Sequence, residues 1–315
     1  MENIKTEKQQ QRRIRFSHTF TTPLLVIAIF LLLLITDTVK LENIESDATE
    51  AYLALVAIQL FVFMLPSIFY IRARSLDVRD SLRIRLPAPD KIPLILLCSL
   101  SLILTSVLIT ALYGGMEGSV YQNTYASVAD AGTDTALYYA ICYALVPALC
   151  EELLFRGIVM SEYQRSSILC AVVMNSLFFS ILHSDVRTLP FTFISGLVLS
   201  MCAYAANSSV ASFFVHLIYN LFAIFGGTAT DRVLCSIGML KLIIILLVTA
   251  LLLTLTLTLG ECQRIYSGYA RKNRDSYYVV NYKKGTGGLR FFSALLAPTS
   301  LFAIVMYVIT QLLGK

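Results

Sequence analysis

The sequence contains no tryptophan and few charged side chains, which make up only 14% of its 315 residues. Soluble domains carry about 25% charged residues, so this shortage excludes an ordinary soluble globular protein. Hydrophobic residues instead account for 57% of the chain. Because tryptophan is missing, tyrosine and phenylalanine must supply any aromatic belt at a membrane surface. The composition therefore indicates a polytopic membrane protein.

Paired cysteine motifs and a cleavable signal peptide are also lacking. The seven cysteines show no CxxC spacing, and most lie in apolar segments. We interpret them as small buried residues rather than as a disulfide framework or a zinc knuckle. The first apolar run has no small-residue cleavage site, so we expect it to remain as the first membrane span.

Nine apolar segments approach the length of about 20 residues that a helix needs to cross a bilayer. We place them near residues 20–36, 51–71, 92–114, 136–160, 167–183, 189–206, 209–226, 237–260 and 291–313. The predicted fold class is all-α, a polytopic helical membrane bundle with about eight to nine transmembrane helices. We expect residues 1–315 to form a single integral membrane domain.

The net charge of +5 is concentrated in a few of the predicted loops. The N-terminus and loops 72–91 and 261–290 are basic, whereas segments 36–50 and 115–134 lean acidic. Basic loops stay in the cytoplasm, and nine spans with a cytoplasmic N-terminus put all three basic stretches on that side. We therefore predict a multi-pass protein of the cell membrane that does not bind nucleic acid.

Ionisable residues near the centre of a span are confined to the fourth to seventh segments. They are Glu151, Glu152, Arg156, His183 and His216. Two of the three histidines thus occur in apolar helices close to an acidic pair. An ionisable residue inside a membrane indicates a functional site by default.

The spacing of these residues predicts different roles for the two adjacent glutamates. Glu152 and Arg156 stand at i and i+4, in the favourable order for a helical ion pair. Glu151 is rotated by about 100° from Glu152, so it is free to face a cavity. Pro147 lies one turn earlier and is expected to kink the span just before the acids.

We estimate the depth of each ionisable group in the membrane to test whether the groups lie at the same level. Counted from the turn between spans four and five, Glu151 and His183 both lie about 20–25 Å up. Counted from the turn between spans six and seven, His216 lies about 11 Å up and Asn220 about 16 Å, which is a looser match.

Three motifs follow one another in apolar helices: Glu151-Glu152-x-x-x-Arg156, then Phe179-x-x-x-His183, then His216-x-x-x-Asn220. Together they resemble the CPBP family of intramembrane proteases, which includes CAAX prenyl endopeptidases and abortive-infection and bacteriocin-related members. The resemblance covers about residues 136–226, which we predict to be the catalytic core.

The resemblance implies hydrolysis of a peptide bond by a glutamate-activated water. The implied catalytic residues are Glu151, His183, His216 and Asn220. The implied supporting residues are Glu152, Arg156 and Phe179. In this scheme Glu151 activates the water with help from His183, while His216 and Asn220 stabilise the oxyanion.

A catalytic zinc is the alternative, because many bacterial members of the family are described as metalloproteases. Its three ligands would be Glu151, His183 and His216, the number that a catalytic zinc needs. However, the sequence contains no HExxH, and no carboxylate is evident as a partner for each histidine. We therefore expect no cofactor, and zinc stays open.

Two other functions fit the same residues. Intramembrane Glu and His also serve proton-coupled transporters, and a non-catalytic bacteriocin-immunity or scaffold protein would use them only to join helices. For the protease, the chain looks more like a bacterial membrane protein than a trimmer of prenylated C-termini. We expect its partners to be the lipid bilayer and a membrane-anchored peptide or protein substrate.

Overall fold

The structure is a computed structural model, which describes residues 19–36, 48–117, 133–183, 186–236, 239–272 and 287–313. These ranges form helices joined by turns and short loops, and they contain no strand. The predicted all-α class is confirmed. Long apolar segments favour helices, because a helix pairs the backbone N–H and C=O groups within its own segment and the bilayer core offers no water to pair them.

The described helices are numbered in chain order. They are α1 (Thr19–Thr36), α2 (Ala48–Gln59, Leu60–Met64 and Leu65–Ala73), α3 (Ile92–Glu117), α4 (Thr133–Tyr139, Ala140–Leu145, Val146–Glu152, Leu153–Val159 and Met160–Gln164), α5 (Ile168–Leu182), α6 (Leu189–Ala206), α7 (Ser209–Phe225), α8 (Gly227–Ser236), α9 (Leu240–Lys272), α10 (Gly287–Leu295) and α11 (Pro298–Leu312).

Six of the described helices are long and apolar enough to cross a membrane, and the pair α10–α11, bent by 60°, adds a seventh. The other two predicted spans are the shorter apolar helices α5 and α7. With 15 residues, α5 is about 22 Å long, less than the roughly 30 Å of a hydrocarbon core. Helix α9 continues to Lys272, beyond the predicted end at residue 260.

Helix α4 contains two π-helical stretches, Ala140–Leu145 and Leu153–Val159. The first directly precedes the segment that contains Pro147, whose missing N–H removes one helical hydrogen bond. Val146 instead donates its N–H to the carbonyl of Ile141, five residues earlier. The expected kink thus takes the form of a π-helical turn within one continuous helix, and α2 has the same arrangement before its own proline.

The basic loop 72–91 packs against two interhelical turns at one end of the bundle. Arg83 donates from Nη2 to Oε1 of Gln164, at the end of α4, over 2.6 Å. Arg85 donates from Nε to the carbonyl of Asn207, between α6 and α7, over 2.7 Å. The turns α4–α5 and α6–α7 therefore lie at the same end as this loop.

The second basic region joins the same end of the bundle. Arg264 near the end of α9 donates to the carbonyl of Asp90 over 2.7 Å, and Arg290 of α10 donates to the carbonyl of Ser166 over 2.6 Å. Nine spans that alternate in direction would place both of these basic regions at the same end of the bundle, as observed. That this end is cytoplasmic stays a prediction from its charge, and the N-terminal basic residues lie outside the described ranges.

The cysteines behave as small core residues. Cys98, Cys142, Cys150, Cys170 and Cys202 are buried and Cys262 is half-buried, and none of these six forms a disulfide with a described residue. The interpretation of these residues as packing groups is confirmed for the five buried positions.

Helices α5 and α6 approach each other closely because Gly196 faces Ser176. A Cβ atom built on Gly196 would lie 2.7 Å from the Cα of Ser176, closer than real Cβ contacts allow. Small residues at helix interfaces permit such close packing in membranes.

Gly196→Ala should therefore destabilise the protein by about 1–3 kcal/mol, because the added methyl group forces the two backbones apart. Denaturant unfolding in detergent measures the effect. Gly260→Ala is the control, because a Cβ there meets nothing within 4 Å. Equal stability of the two variants would contradict the close packing of α5 and α6.

Candidate active site

Three ionisable side chains from different helices meet at one point of the bundle. Oε2 of Glu151 in α4 lies 4.0 Å from Nε2 of His183, directly after α5, and 3.9 Å from Nε2 of His216 in α7. The Glu151 side chain is 13% exposed and that of His183 is 33% exposed. The structure thus brings these three predicted residues together in a site that is open beside His183.

The neighbouring glutamate forms a buried ion pair. Nη1 of Arg156 donates to Oε1 of Glu152 over 2.7 Å, and both side chains are almost fully buried. The same oxygen lies 2.9 Å from Nδ1 of His216. Glu152 therefore pairs with a residue of its own helix and with the imidazole of α7.

Each imidazole has a partner at its Nδ1 atom. For His216 this partner is the carboxylate of Glu152, and for His183 it is the backbone carbonyl of Phe179, 2.8 Å away. The sequence-based expectation that a carboxylate partner was lacking is therefore wrong for His216. Such contacts orient the ring, so that Nε2 of each histidine faces Glu151.

Phe179 packs between the charged groups and the rest of the core. Its buried ring lies 4.5 Å from the ring of His183 and 5.9 Å from that of His216, centroid to centroid. The Cζ atom of Arg156 lies 4.6 Å from the same ring centre. Phe179 therefore forms a wall shared by both imidazoles and the ion pair.

Asn220 makes a different contact from the one that the oxyanion role implies. It lies one turn after His216, and its Nδ2 donates to the carbonyl of Ala144 over 3.4 Å. Ala144 precedes Glu151 by about two turns of α4. Among the described residues, Asn220 thus makes no hydrogen bond to the three converging side chains.

The sequence comparison with protein families falls on this part of the chain. Residues 133–222 match the family model described as type II CAAX prenyl endopeptidase Rce1-like. Over these residues the chain is similar to that family, which supports the resemblance to CPBP intramembrane proteases. No curated protein and no solved structure matches the chain.

The matched segment runs from the first turn of α4 into α7 and overlaps the predicted core of residues 136–226. It contains all seven residues of the three motifs. The two basic regions and helices α1–α3 and α9–α11 lie outside it. The family match thus falls on the helices that build the site.

Neutral residues complete the site and were missed by the sequence analysis. Nη2 of Arg156 lies 3.5 Å from the carbonyl of Gly196, which also accepts a 2.6 Å hydrogen bond from Ser200. Ser200 in turn accepts from the side-chain amide of Asn175 over 2.7 Å. The sequence could have indicated these residues through small and polar side chains in apolar helices, since such side chains are enriched where membrane helices pack.

The fit of a metal to this site can be judged from its donor atoms. Within the described ranges, no group of three or more His, Cys, Asp or Glu residues has an arrangement that could hold a metal ion. Glu151, His183 and His216, the set named for zinc, thus do not form such a group. The absence of a cofactor stays a prediction.

Phe179→Ala should lower the free energy of unfolding by about 3–5 kcal/mol, because it opens a cavity between buried groups. Thermal unfolding in detergent measures this loss. Phe292→Ala is the matched control, since its side chain is exposed on α10 and packs against little of the core. A Phe179 variant as stable as the Phe292 variant would contradict the wall between the imidazoles and the core.

Proposed function

We propose that the protein is an intramembrane endopeptidase that hydrolyses a peptide bond in a membrane-associated peptide or protein. The family match supports endopeptidase activity of the CAAX type in general. The observation that carries the finer assignment is the carboxylate of Glu151, whose buried Oε2 makes no hydrogen bond to a described residue and faces two imidazoles.

Glu151 is the general base in this proposal. A water placed between the three groups would lie within reach of Oε2, and a base must be that close to the proton it removes. As the water oxygen bonds to the carbonyl carbon, its proton moves to Oε2 and the carbonyl π electrons move to the oxygen. When the C–N bond breaks, the same proton passes to the leaving nitrogen.

Asn220 is the oxyanion donor that we retain from the predicted set. Its 3.4 Å hydrogen bond to the Ala144 carbonyl is long, so the amide gives up little by turning to a substrate oxygen. An amide donor aimed at a developing negative charge in an apolar setting is worth several kcal/mol, typically about 3–4.

The substrate class follows from the surroundings of the site. Helices α4, α5 and α7 hold the three groups among apolar residues, so a soluble protein surface cannot reach them without entering the membrane region. The exposed side of His183 provides an opening. A flexible or membrane-anchored segment is the substrate that fits, and the prenylated peptides in the family's name are not required.

Glu151→Gln should abolish cleavage, with a fall in kcat of at least about 10²- to 10⁴-fold, because the amide cannot accept the proton of the water. The measurement uses a fluorogenic peptide library and a lipid-anchored peptide with detergent-purified protein. Thermal stability should stay near that of the wild type, since Oε2 of Glu151 makes no hydrogen bond within the described part of the chain.

Glu261→Gln is the control for this experiment, because Glu261 lies on α9 and its ion pair among the described residues is with the exposed Arg264. Cleavage by the Glu151 variant at the wild-type rate would remove Glu151 from the reaction. A protein that moves protons across liposomes and cleaves nothing would instead identify a transporter.

Chelation tests the role of a metal independently. Purified protein treated with a strong chelator, and shown by elemental analysis to hold no zinc, should keep its cleavage rate if Glu151 acts without a metal. Loss of activity that returns only on addition of zinc would overturn the metal-free mechanism. A matched sample dialysed without chelator controls for losses during handling.

A further inference from the structure

Both histidines of the site are held at Nδ1 by groups that only accept hydrogen bonds. The Phe179 carbonyl contacts Nδ1 of His183 over 2.8 Å. The carboxylate of Glu152, which also accepts from Arg156, contacts Nδ1 of His216 over 2.9 Å. An ionised carboxylate and a carbonyl have no proton to donate, so Nδ1 of each ring must carry it.

This proton placement fixes what the opposite nitrogen can do. A neutral imidazole with its proton on Nδ1 has a bare Nε2, which accepts hydrogen bonds and cannot donate them. Both Nε2 atoms face Oε2 of Glu151, at 4.0 and 3.9 Å. Three acceptors therefore converge, and a water between them can direct its two protons towards two of them and leave its lone pairs for the substrate.

We propose that Glu152 is a positioning residue of the reaction, which holds the proton of His216 on Nδ1 so that Nε2 accepts a hydrogen bond from the attacking water. This assignment rests on the proposed function and changes one part of it. The family resemblance implies an oxyanion role for His216, whereas a bare Nε2 cannot donate to an oxyanion. His216 orients the water, and Glu152 sets the tautomer.

The competing role for Glu152 is to neutralise Arg156, which is fully buried. Removing one partner of a buried pair costs about 3–5 kcal/mol, so single variants would confuse misfolding with a loss of positioning. Removing both charges avoids that cost. Two double variants then differ only in whether residue 152 offers an acceptor to the imidazole.

The first double variant is Glu152→Gln with Arg156→Met, in which the Gln carbonyl oxygen can still accept from Nδ1. The second is Glu152→Met with Arg156→Met, which has a side chain of similar size and no oxygen. Both should fold with similar thermal stability. The first should retain part of the wild-type kcat, whereas kcat of the second should fall by about 10²- to 10⁴-fold with little change in KM.

Nitrogen NMR of protein labelled with ¹⁵N-histidine reads the tautomer without relying on activity. The chain has only three histidines, and a His216→Gln sample assigns the signals of interest. In the wild type, we expect the proton of His216 on Nδ1 and a bare Nε2. In the Met/Met variant, the His216 signals should shift towards the other tautomer while those of His183 stay unchanged.

Glu162→Gln with Arg74→Met is the matched control. Glu162 is a buried acid of the same helix, paired with Arg74 at 3.3 Å and placed away from both imidazoles. This variant should alter stability without changing the His216 signals or reducing kcat to the level of the Met/Met variant.

Two results would overturn the positioning role: a wild-type His216 with its proton on Nε2, or a Met/Met variant that cleaves at the rate of the Gln/Met variant. If the wild type cleaves no peptide while the His216 signals depend on residue 152 as described, the proposed function fails and the tautomer assignment stands.

Discussion

The buried ion pair between Glu152 and Arg156 is the constraint on which the arrangement of the site depends. Charges in an apolar interior lose several kcal/mol of hydration each, and only close partners offset that loss. Here the partners come from three helices: Arg156 and Glu152 in α4, the imidazole of His216 in α7 and the Gly196 carbonyl in α6. Any sliding of one helix along another would separate a charge from its partner.

The position of Glu151 follows from this constraint. Consecutive residues of a helix point about 100° apart, so the two glutamates approach the same imidazole from different sides. Glu152 contacts Nδ1 of His216 over 2.9 Å, and Glu151 lies 3.9 Å from Nε2 of the same ring. The structural pair therefore places the candidate base, and Phe179 ties His183 to the same point through its carbonyl and its ring.

The sequence was sufficient for the features that depend on composition and spacing. Apolar length located the spans, and the i, i+4 spacing identified the ion pair. The depth estimate matched Glu151 with His183 but placed His216 lower, whereas the structure brings both imidazoles within 4.0 Å of Glu151. The estimate assumed regular α-helices, and it could not foresee the π-helical stretch Leu153–Val159 that follows Glu152. Gly196 was missed because its role appears only when α5 and α6 meet.

The hydrogen bonds of the site also bear on the choice between a protease and a scaffold. A polar core that only joins helices gains from pairing each buried group, because an unpaired polar atom in an apolar setting costs free energy. Glu152 and Arg156 share one such pair, although Oε2 of Glu152 and Nε of Arg156 make no hydrogen bond to any described residue. Oε2 of Glu151 also lacks a described partner, and it differs in facing the Nε2 atoms of two imidazoles. A scaffold gains nothing from that convergence of acceptors, whereas a hydrolase needs an unoccupied acceptor facing the position of a water. The convergence of these groups, rather than an unpaired atom by itself, thus favours the hydrolase.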